Sequence, residues 1–360
     1  MAVPDLAPRH LGRGLYVHPL GVNCGAIGAS ADEQTPELNG QLPNDERYLH
    51  GLRRAVEHGA TLVDTADAYG QGHSERVVGQ LLREQPAATL QVSSKVGRLR
   101  GSAPHPYADR HIHHQFQQTL ENLYIEELDV YILDSFDFGP DDRYLDTAIE
   151  QMRTLRQLGL TKAIGMRGPY ASYGASPAER AAQSERFLHL FHLIRPDVIW
   201  TRFNALTPAI SIDGEDLFTF TARRGTGVIL AAPLAHGFLT GKTVPRTEAR
   251  LDRYGRRTTR TAFTPRIVEA IDSGLQLLRE YFGDAPGTLP RLALRSCLQR
   301  ADHCAVVVGF RNEVQVSESF RCLGAALTDT ELGLLDEVYA QMRANIPDAA
   351  QPHFARGTRA

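Results

Sequence analysis

Eight short apolar runs of strand length alternate along this chain with longer amphipathic stretches, and that alternation leaves few folds open. The runs are LGVNCGAIG, TLVDTA, LQVSSKV, LDVYILD, KAIGM, DVIWTRF, GVILAAPL and CAVVVGF. Between them lie helical patterns such as DERYLHGLRRAVEHG, SERVVGQLLREQ and RIVEAIDSGLQLLREYFG. Several open after Ser, Asp or Asn and close at Gly, as capping chemistry requires. Eight strand–helix units predict an α/β chain folded as a single (β/α)8 barrel, the TIM barrel, rather than an open doubly wound sheet. No glycine-rich dinucleotide fingerprint follows the first run, which also counts against the open sheet. A length of 360 residues suggests two domains by itself. Barrels of this kind, however, run as one domain of about 250 residues before insertions, so one domain over 1–360 is expected.

Three stretches read as insertions on the carboxyl side of strands, where a barrel binds its ligands. They cover 30–45, 167–178 and 243–265, the last rich in Arg and Thr, as a lid over a phosphorylated cofactor would be. The tail 347–360 has no apolar period and is expected to be loosely held.

Composition narrows the functions. A formal net charge of −3 gives no electrostatic case for nucleic acid or an acidic membrane surface. The start, MAVPDLAPRHLGRGLYV, shows no apolar segment of signal length and later runs such as GVILAAPLA are too short to span a bilayer, so a cytoplasmic protein is expected. Cys24, Cys297, Cys304 and Cys322 have neither zinc-site spacing nor the density of a disulfide scaffold. They read as buried or half-buried free thiols. His111 to His114 read HIHH, but with no carboxylate or cysteine at ligand spacing they read as a solvated helix start, and no metal site is expected.

The sharpest constellation is Asp64, Tyr69 and Lys95. Asp64 ends the second run, Tyr69 follows in the loop GATLVDTADAYGQGHSE, and Lys95 ends the third, so all three face one mouth of the barrel. A lysine ammonium beside a phenol favours the phenolate and lowers its pKa, while Asp64 fixes the lysine. That makes a tuned proton donor or acceptor. Asp134 closes the fourth run in the same way, a second carboxylate at the same mouth.

GATLVDTADAYGQGHSERVVGQLL, SSKVGR, TLENLYIEELDVYIL, AAPLAHGFLTGK and VVVGFRNEVQVSES occur in that order. Together, over roughly 11–323, they resemble the aldo-keto reductase superfamily. The resemblance implies a single barrel that binds NADPH or NADH without a Rossmann fold and moves hydride between a carbonyl and an alcohol or lactol. It assigns Tyr69 as general acid, with Lys95 and Asp64 as its tuning pair. It places Gly309, Arg311, Gln315, Glu318 and Ser319 at the adenosine 2′-phosphate and adenine, with Arg311 favouring NADPH over NADH. Leu234, Gly237 and Lys242 fall in the loop around the pyrophosphate.

Within the superfamily the segment from Asp134 to Gly168 is most similar to the L-galactose and D-threo-aldose 1-dehydrogenase branch. Three positions depart from the common pattern. Arg167 and Gly168 replace a Ser-Asn pair at the nicotinamide amide, Trp200 stands among the cofactor-binding positions where a Gln is usual, and Asp134 replaces the active-site histidine. A protonated Asp134 donates a hydrogen bond and suits conjugate reduction of an enone; an ionised one suits base chemistry. A third possibility is that Asp134 supports Lys95 while His73, His236 or Arg167 orients the substrate.

Three functions therefore remain in view. The leading one is an NADPH-dependent oxidoreductase of a polar, sugar-derived carbonyl, lactol or enone. The alternative is a redox-neutral lyase, dehydratase or epimerase using Asp134, Tyr69 and Lys95. The last is a cofactor-binding regulatory subunit like the channel-associated members of the superfamily. The expected partner is a small-molecule substrate, and the expected state a monomer or loose homodimer.

Overall fold

The computed structural model describes residues 6–27, 44–85, 90–173, 175–242 and 265–346. A short antiparallel hairpin of β1 (Arg9–His10) and β2 (Tyr16–Val17) comes first. Eight strands follow: β3 (Leu20–Asn23), β4 (Leu62–Asp64), β5 (Gln91–Val96), β6 (Leu128–Leu133), β7 (Thr161–Arg167), β8 (Val198–Arg202), β9 (Gly227–Ala231) and β10 (Cys304–Gly309). Each pairs in parallel with its successor and β10 closes on β3, which makes the expected barrel.

Strand side chains alternate between the barrel interior and the surrounding helices. Inside, Leu62, Val130, Ile132, Ala163, Val198 and Trp200 belong to one apolar cluster. Leu11, Leu15 and Val17 of the hairpin region join it, so the hairpin, absent from the sequence reading, plugs the amino end. Gly227 permits this, because a Cβ there would overlap the Leu11 carbonyl. Two residues beyond the apolar layer the same parity reaches Asp64, Asp134, Arg167 and Arg202. The carboxyl mouth of the barrel is thereby polar.

The helices around the barrel are α1 (Asn44–Glu57), α2 (His73–Glu84), α3 (His111–Leu123), α4 (Leu145–Gln157), α5 (Pro177–Ile194) and α6 (Leu217–Ala222), followed by α7 (Pro265–Phe282), α8 (Thr288–Leu298), α9 (Glu313–Arg321) and α10 (Asp329–Asn345). Leu275 and Leu278 of α7 pack with Leu292 of α8 and with Leu335, Val338 and Met342 of α10 in a separate core. Helix α10 was not anticipated, although its start carries a legible signal: Thr328 and Glu331 form a reciprocal capping box.

The expected lid at 167–178 is held down. Its Tyr173 is buried, with the hydroxyl accepting from Asn204 Nδ2 at 2.8 Å, and Ser176 then caps α5 in a capping box with Glu179. Residues 30–43 of the expected lid 30–45, residues 243–264 of the lid 243–265, and the tail 347–360 lie outside the described residues. Among the described residues no helix is long and apolar enough to cross a membrane.

Candidate active site

A lysine 1% exposed needs a counter-charge, since a lone buried ammonium costs several kcal/mol. Lys95 finds one in Asp64, which is wholly buried and lies 2.8 Å (Oδ1) and 2.9 Å (Oδ2) from Nζ. Asp64 is the hub of the cluster. Its Oδ1 also accepts from Ser93 Oγ at 2.6 Å, and its Oδ2 from Asn23 Nδ2 at 2.5 Å and Trp200 Nε1 at 3.1 Å. The lysine spends its other hydrogens on the Thr65 carbonyl at 2.5 Å and the Tyr69 hydroxyl at 3.4 Å. The three residues of the sequence constellation therefore meet, as the strand ends require.

The electrostatics of this cluster correct one expectation. Burial pulls the Lys95 pKa down, but Asp64, Tyr69 and Asp134 outweigh it and the net direction is up. Lys95 is firmly cationic. Burial pushes the Tyr69 phenol up; Lys95 pulls it down as anticipated, yet Asp64 and Asp134 add to the rise, and the net direction is again up. The expected lowering of the phenol does not occur, because desolvation and two carboxylates exceed one ammonium at 3.4 Å. Tyr69 thus keeps its proton at neutral pH.

At Asp134 the surroundings favour one of the charge states left open by the sequence. Its Oδ2 accepts from Arg98 Nε at 3.0 Å and its Oδ1 from Arg167 Nη1 at 2.7 Å. Burial alone would raise this carboxyl, but Arg167, Arg98 and Lys95 together hold it below the usual range. It lies clamped between two guanidiniums, which favour the ionised form over a neutral, hydrogen-bond-donating one. Of the groups considered as substrate orienters, Arg167 contacts Asp134 directly. His73 begins α2 and contacts Asp45 Oδ1 at 2.8 Å, while His236 stands at positive φ in the short 3-10 turn Ala235–Thr240.

Sequence reasoning missed Arg98, Asn23 and Ser93. Asn23 and Ser93 carried a readable sign, because Asn23 ends the first barrel strand and Ser93 lies two residues before Lys95 on the same face. Arg98 lies beyond its strand, and nothing local marks it as a partner of Asp134.

Trp200, expected at the cofactor, is buried beneath the lysine. Its ring lies 4.8 Å from Lys95 Nζ and 5.7 Å from Arg167 Cζ, and its indole N–H serves Asp64.

The residues expected at the adenine end gather around the start of α9. Asn312 caps the helix, its Oδ1 accepting from Gln315 N at 2.9 Å, while Gln315 Oε1 accepts from Arg311 N and Ser319 Oγ donates to the Gln315 carbonyl, each at 2.9 Å. Lys242 Nζ meets Glu318 Oε2 at 3.0 Å and so ties the loop after β9 to α9. That loop carries Leu234 and Gly237, the latter at φ 95°. Gly309 is exposed and a Cβ on it would meet open space, so the end of β10 is accessible from solvent. An arginine at a capped helix start beside such a space is chemistry that suits a phosphate.

Cys24, Cys297 and Cys304 are buried free thiols and Cys322 is partly buried. Among the described residues no group of His, Cys, Asp or Glu could hold a metal ion, and His111 Nε2 lies 3.0 Å from the Leu99 carbonyl.

A model of the aldo/keto reductase family matches residues 31–340. The chain belongs to the aldo/keto reductase family. It is an NAD(P)H-dependent oxidoreductase accordingly. Among curated relatives it is similar to an NADH-specific methylglyoxal reductase of Escherichia coli K12, 24% identical over 89% of this chain and 94% of the relative. It is also similar to an L-galactose dehydrogenase of Arabidopsis thaliana, 23% identical over 81% and 82%, and to an L-glyceraldehyde 3-phosphate reductase of Escherichia coli O157:H7, 27% identical over 83% and 85%. The L-galactose branch is one of several at comparable distance. Among solved structures, a glycerol dehydrogenase of Gluconobacter oxydans superposes with TM-score 0.70 at 22% identity, covering 98% of this chain and 99% of that one. An aldo/keto reductase of Klebsiella pneumoniae in complex with NADP and acetate gives 0.61 at 18% identity, covering 92% and 95%.

Proposed function

We propose that this aldo/keto reductase uses NADPH to reduce a small polar carbonyl compound, with Tyr69 as the proton donor. The observation that carries the reading is the contact of Tyr69 Oη with a lysine that Asp64 keeps charged, 3.4 Å away. When bound, the dihydronicotinamide supplies the hydride. Gly309, Arg311, Gln315, Glu318 and Ser319 would hold its adenosine phosphate end, and Leu234, Gly237 and Lys242 its pyrophosphate. Arg311 at the start of α9 favours the 2′-phosphate, and hence NADPH over NADH, although one relative is named NADH-specific.

The raised phenol suits reduction, because Tyr69 holds its proton until a carbonyl oxygen gathers negative charge beside it. Lys95 then stabilises the tyrosinate left behind, and Asp64 keeps the lysine in place through both states. Asn23 sits against the same phenol and steadies its oxygen.

The redox-neutral alternative asks Asp134 to act as a free base. Both of its oxygens already accept from guanidiniums, which weakens its basicity and favours the reductase reading.

The test is Tyr69→Phe, assayed with NADPH against a panel of short aldehydes, α-oxo aldehydes and aldoses. Turnover should fall by about 10²- to 10⁴-fold, with NADPH affinity by fluorescence titration unchanged. Turnover within tenfold of the native enzyme would remove Tyr69 from the role.

A further inference from the structure

Two arginines stand at the carboxyl mouth with a single carboxylate between them. Arg98 follows β5 and Arg167 ends β7, and Asp134 accepts one hydrogen bond from each. A guanidinium carries five N–H donors. Among the described residues the contacts to Asp134 use Nε of Arg98 and Nη1 of Arg167, which leaves terminal N–H groups on both. The Arg98 side chain is 44% exposed and that of Arg167 16%, so the pair reaches from the half-buried mouth of the barrel to solvent. The charges do not cancel. Asp64 is matched by Lys95, and Asp67 is pushed far above the usual carboxyl range by burial and its acidic neighbours, so two guanidiniums face one ionised carboxylate. Arg202, on the inward parity of β8, lies 5.8 Å from the Tyr170 ring and has no carboxylate partner among the described residues. The mouth is electropositive on the side of β5, β7 and β8.

From this geometry we infer that the substrate is a carbonyl compound bearing an oxyanion, a carboxylate or phosphate, gripped by Arg98 and Arg167. This rests on the reductase reading and supplies its substrate class. Asp134 is then neither acid nor base. It is a positioning residue that locks both forks, since an unpinned arginine would lose its rotamer freedom on binding each substrate. The fork suits planar, bidentate oxyanion recognition in a way that a lysine ammonium does not.

The experiment compares kcat/KM, with NADPH, for matched pairs: succinic semialdehyde against butanal, and glycolaldehyde phosphate against glycolaldehyde. The native enzyme should prefer at least one anionic member by roughly 10- to 100-fold, and its KM should rise with salt while that of the neutral member does not. Which pair shows the preference separates carboxylate from phosphate. Arg98→Gln and Arg167→Gln should each erase most of the preference, and Arg98→Lys, which keeps the charge, should restore only part. Asp134→Asn should lower the anionic-to-neutral ratio, whereas a merely structural role would lower both members alike. Affinity for NADPH should stay unchanged in Arg98→Gln and Arg98→Lys, which lie away from the positions assigned to the nicotinamide.

A ratio near one in the native enzyme overturns the proposal, as does a ratio indifferent to both arginines or a loss confined to NADPH affinity. A separate reading needs no turnover. Trp200, the only tryptophan in the chain, lies 5.7 Å from Arg167, so its emission should respond to acetate or inorganic phosphate and lose that response in Arg167→Gln. If no aldehyde is reduced the reductase reading fails, and this titration still decides the anion site, a flat response sinking it.

Discussion

Asp64→Asn is the most informative single change, because it removes one charge and almost no volume from a hub that receives four donors. In the native chain Oδ2 accepts from Asn23, Lys95 and Trp200, and Oδ1 from Ser93 and Lys95. An asparagine keeps its oxygen in the Oδ2 place and turns its NH2 toward Ser93, whose hydroxyl can rotate to accept. Lys95 cannot adapt. Breaking a buried ion pair by deleting one partner costs about 3–5 kcal/mol. For 360 residues, at about 2.1 cal/mol/K of unfolding entropy per residue, that is a Tm lower by about 4–7 °C. The sign of the pH dependence follows from the lysine. With Asp64 present its folded pKa is raised, so its contribution is fully present below the unfolded value near 10.4 and fades only above it. In the Asp64→Asn variant burial dominates, the folded pKa of the lysine drops below the unfolded one, and the penalty should shrink as pH climbs from 7 toward 10. Thermal unfolding followed by circular dichroism at pH 7 and 9.5 measures both. The double variant Asp64→Asn with Lys95→Met should recover much of the lost stability, since no charge is left stranded. A double variant as unstable as the sum of its singles, or a penalty independent of pH, would refute the claim that this pair is held by mutual charge.

Arg311→Ala should weaken NADPH binding by about tenfold or more while leaving NADH nearly unaffected, read by fluorescence titration; equal losses would place Arg311 away from the 2′-phosphate. Asp67 is 5% exposed, and burial, then Glu75 and Asp134, raise its pKa against the lowering by the Ala68 backbone N–H and Lys95. Its raised value means stability is present below the unfolded pKa and lost as pH rises through the folded one. Asp67→Asn should therefore raise Tm above neutral pH, with the gain fading toward pH 4; a gain that is constant with pH would exclude the charge as its source. Gly227→Ala forces a methyl onto the Leu11 carbonyl and should lower Tm by about 1–4 °C, and an unchanged Tm would mean the hairpin can shift aside at no cost.

The barrel was legible because its signal is local. Eight apolar runs and the helical periods between them require no knowledge of neighbours, and strand parity alone sends Asp64, Lys95 and Asp134 to one mouth. Tyr69 follows from the loop that Asp64 begins. Other features needed the closed sheet. The hairpin plug is two strands of two residues each, too short to leave a period, and it becomes an element only because the open amino end of the barrel receives Leu11, Leu15 and Val17.

Charge state was the larger gap. Asp134 could be read from sequence as a neutral acid, a base or a support, and the choice depended on partners 36 and 33 residues away in Arg98 and Arg167. Tyr69 was expected to be lowered by its lysine, and is raised because burial and two carboxylates act on it as well. The order of residues along a strand decides which way a side chain points. Whether that side chain is ionised depends on what else shares its few ångströms of low-dielectric space, and only the tertiary structure brings those groups together.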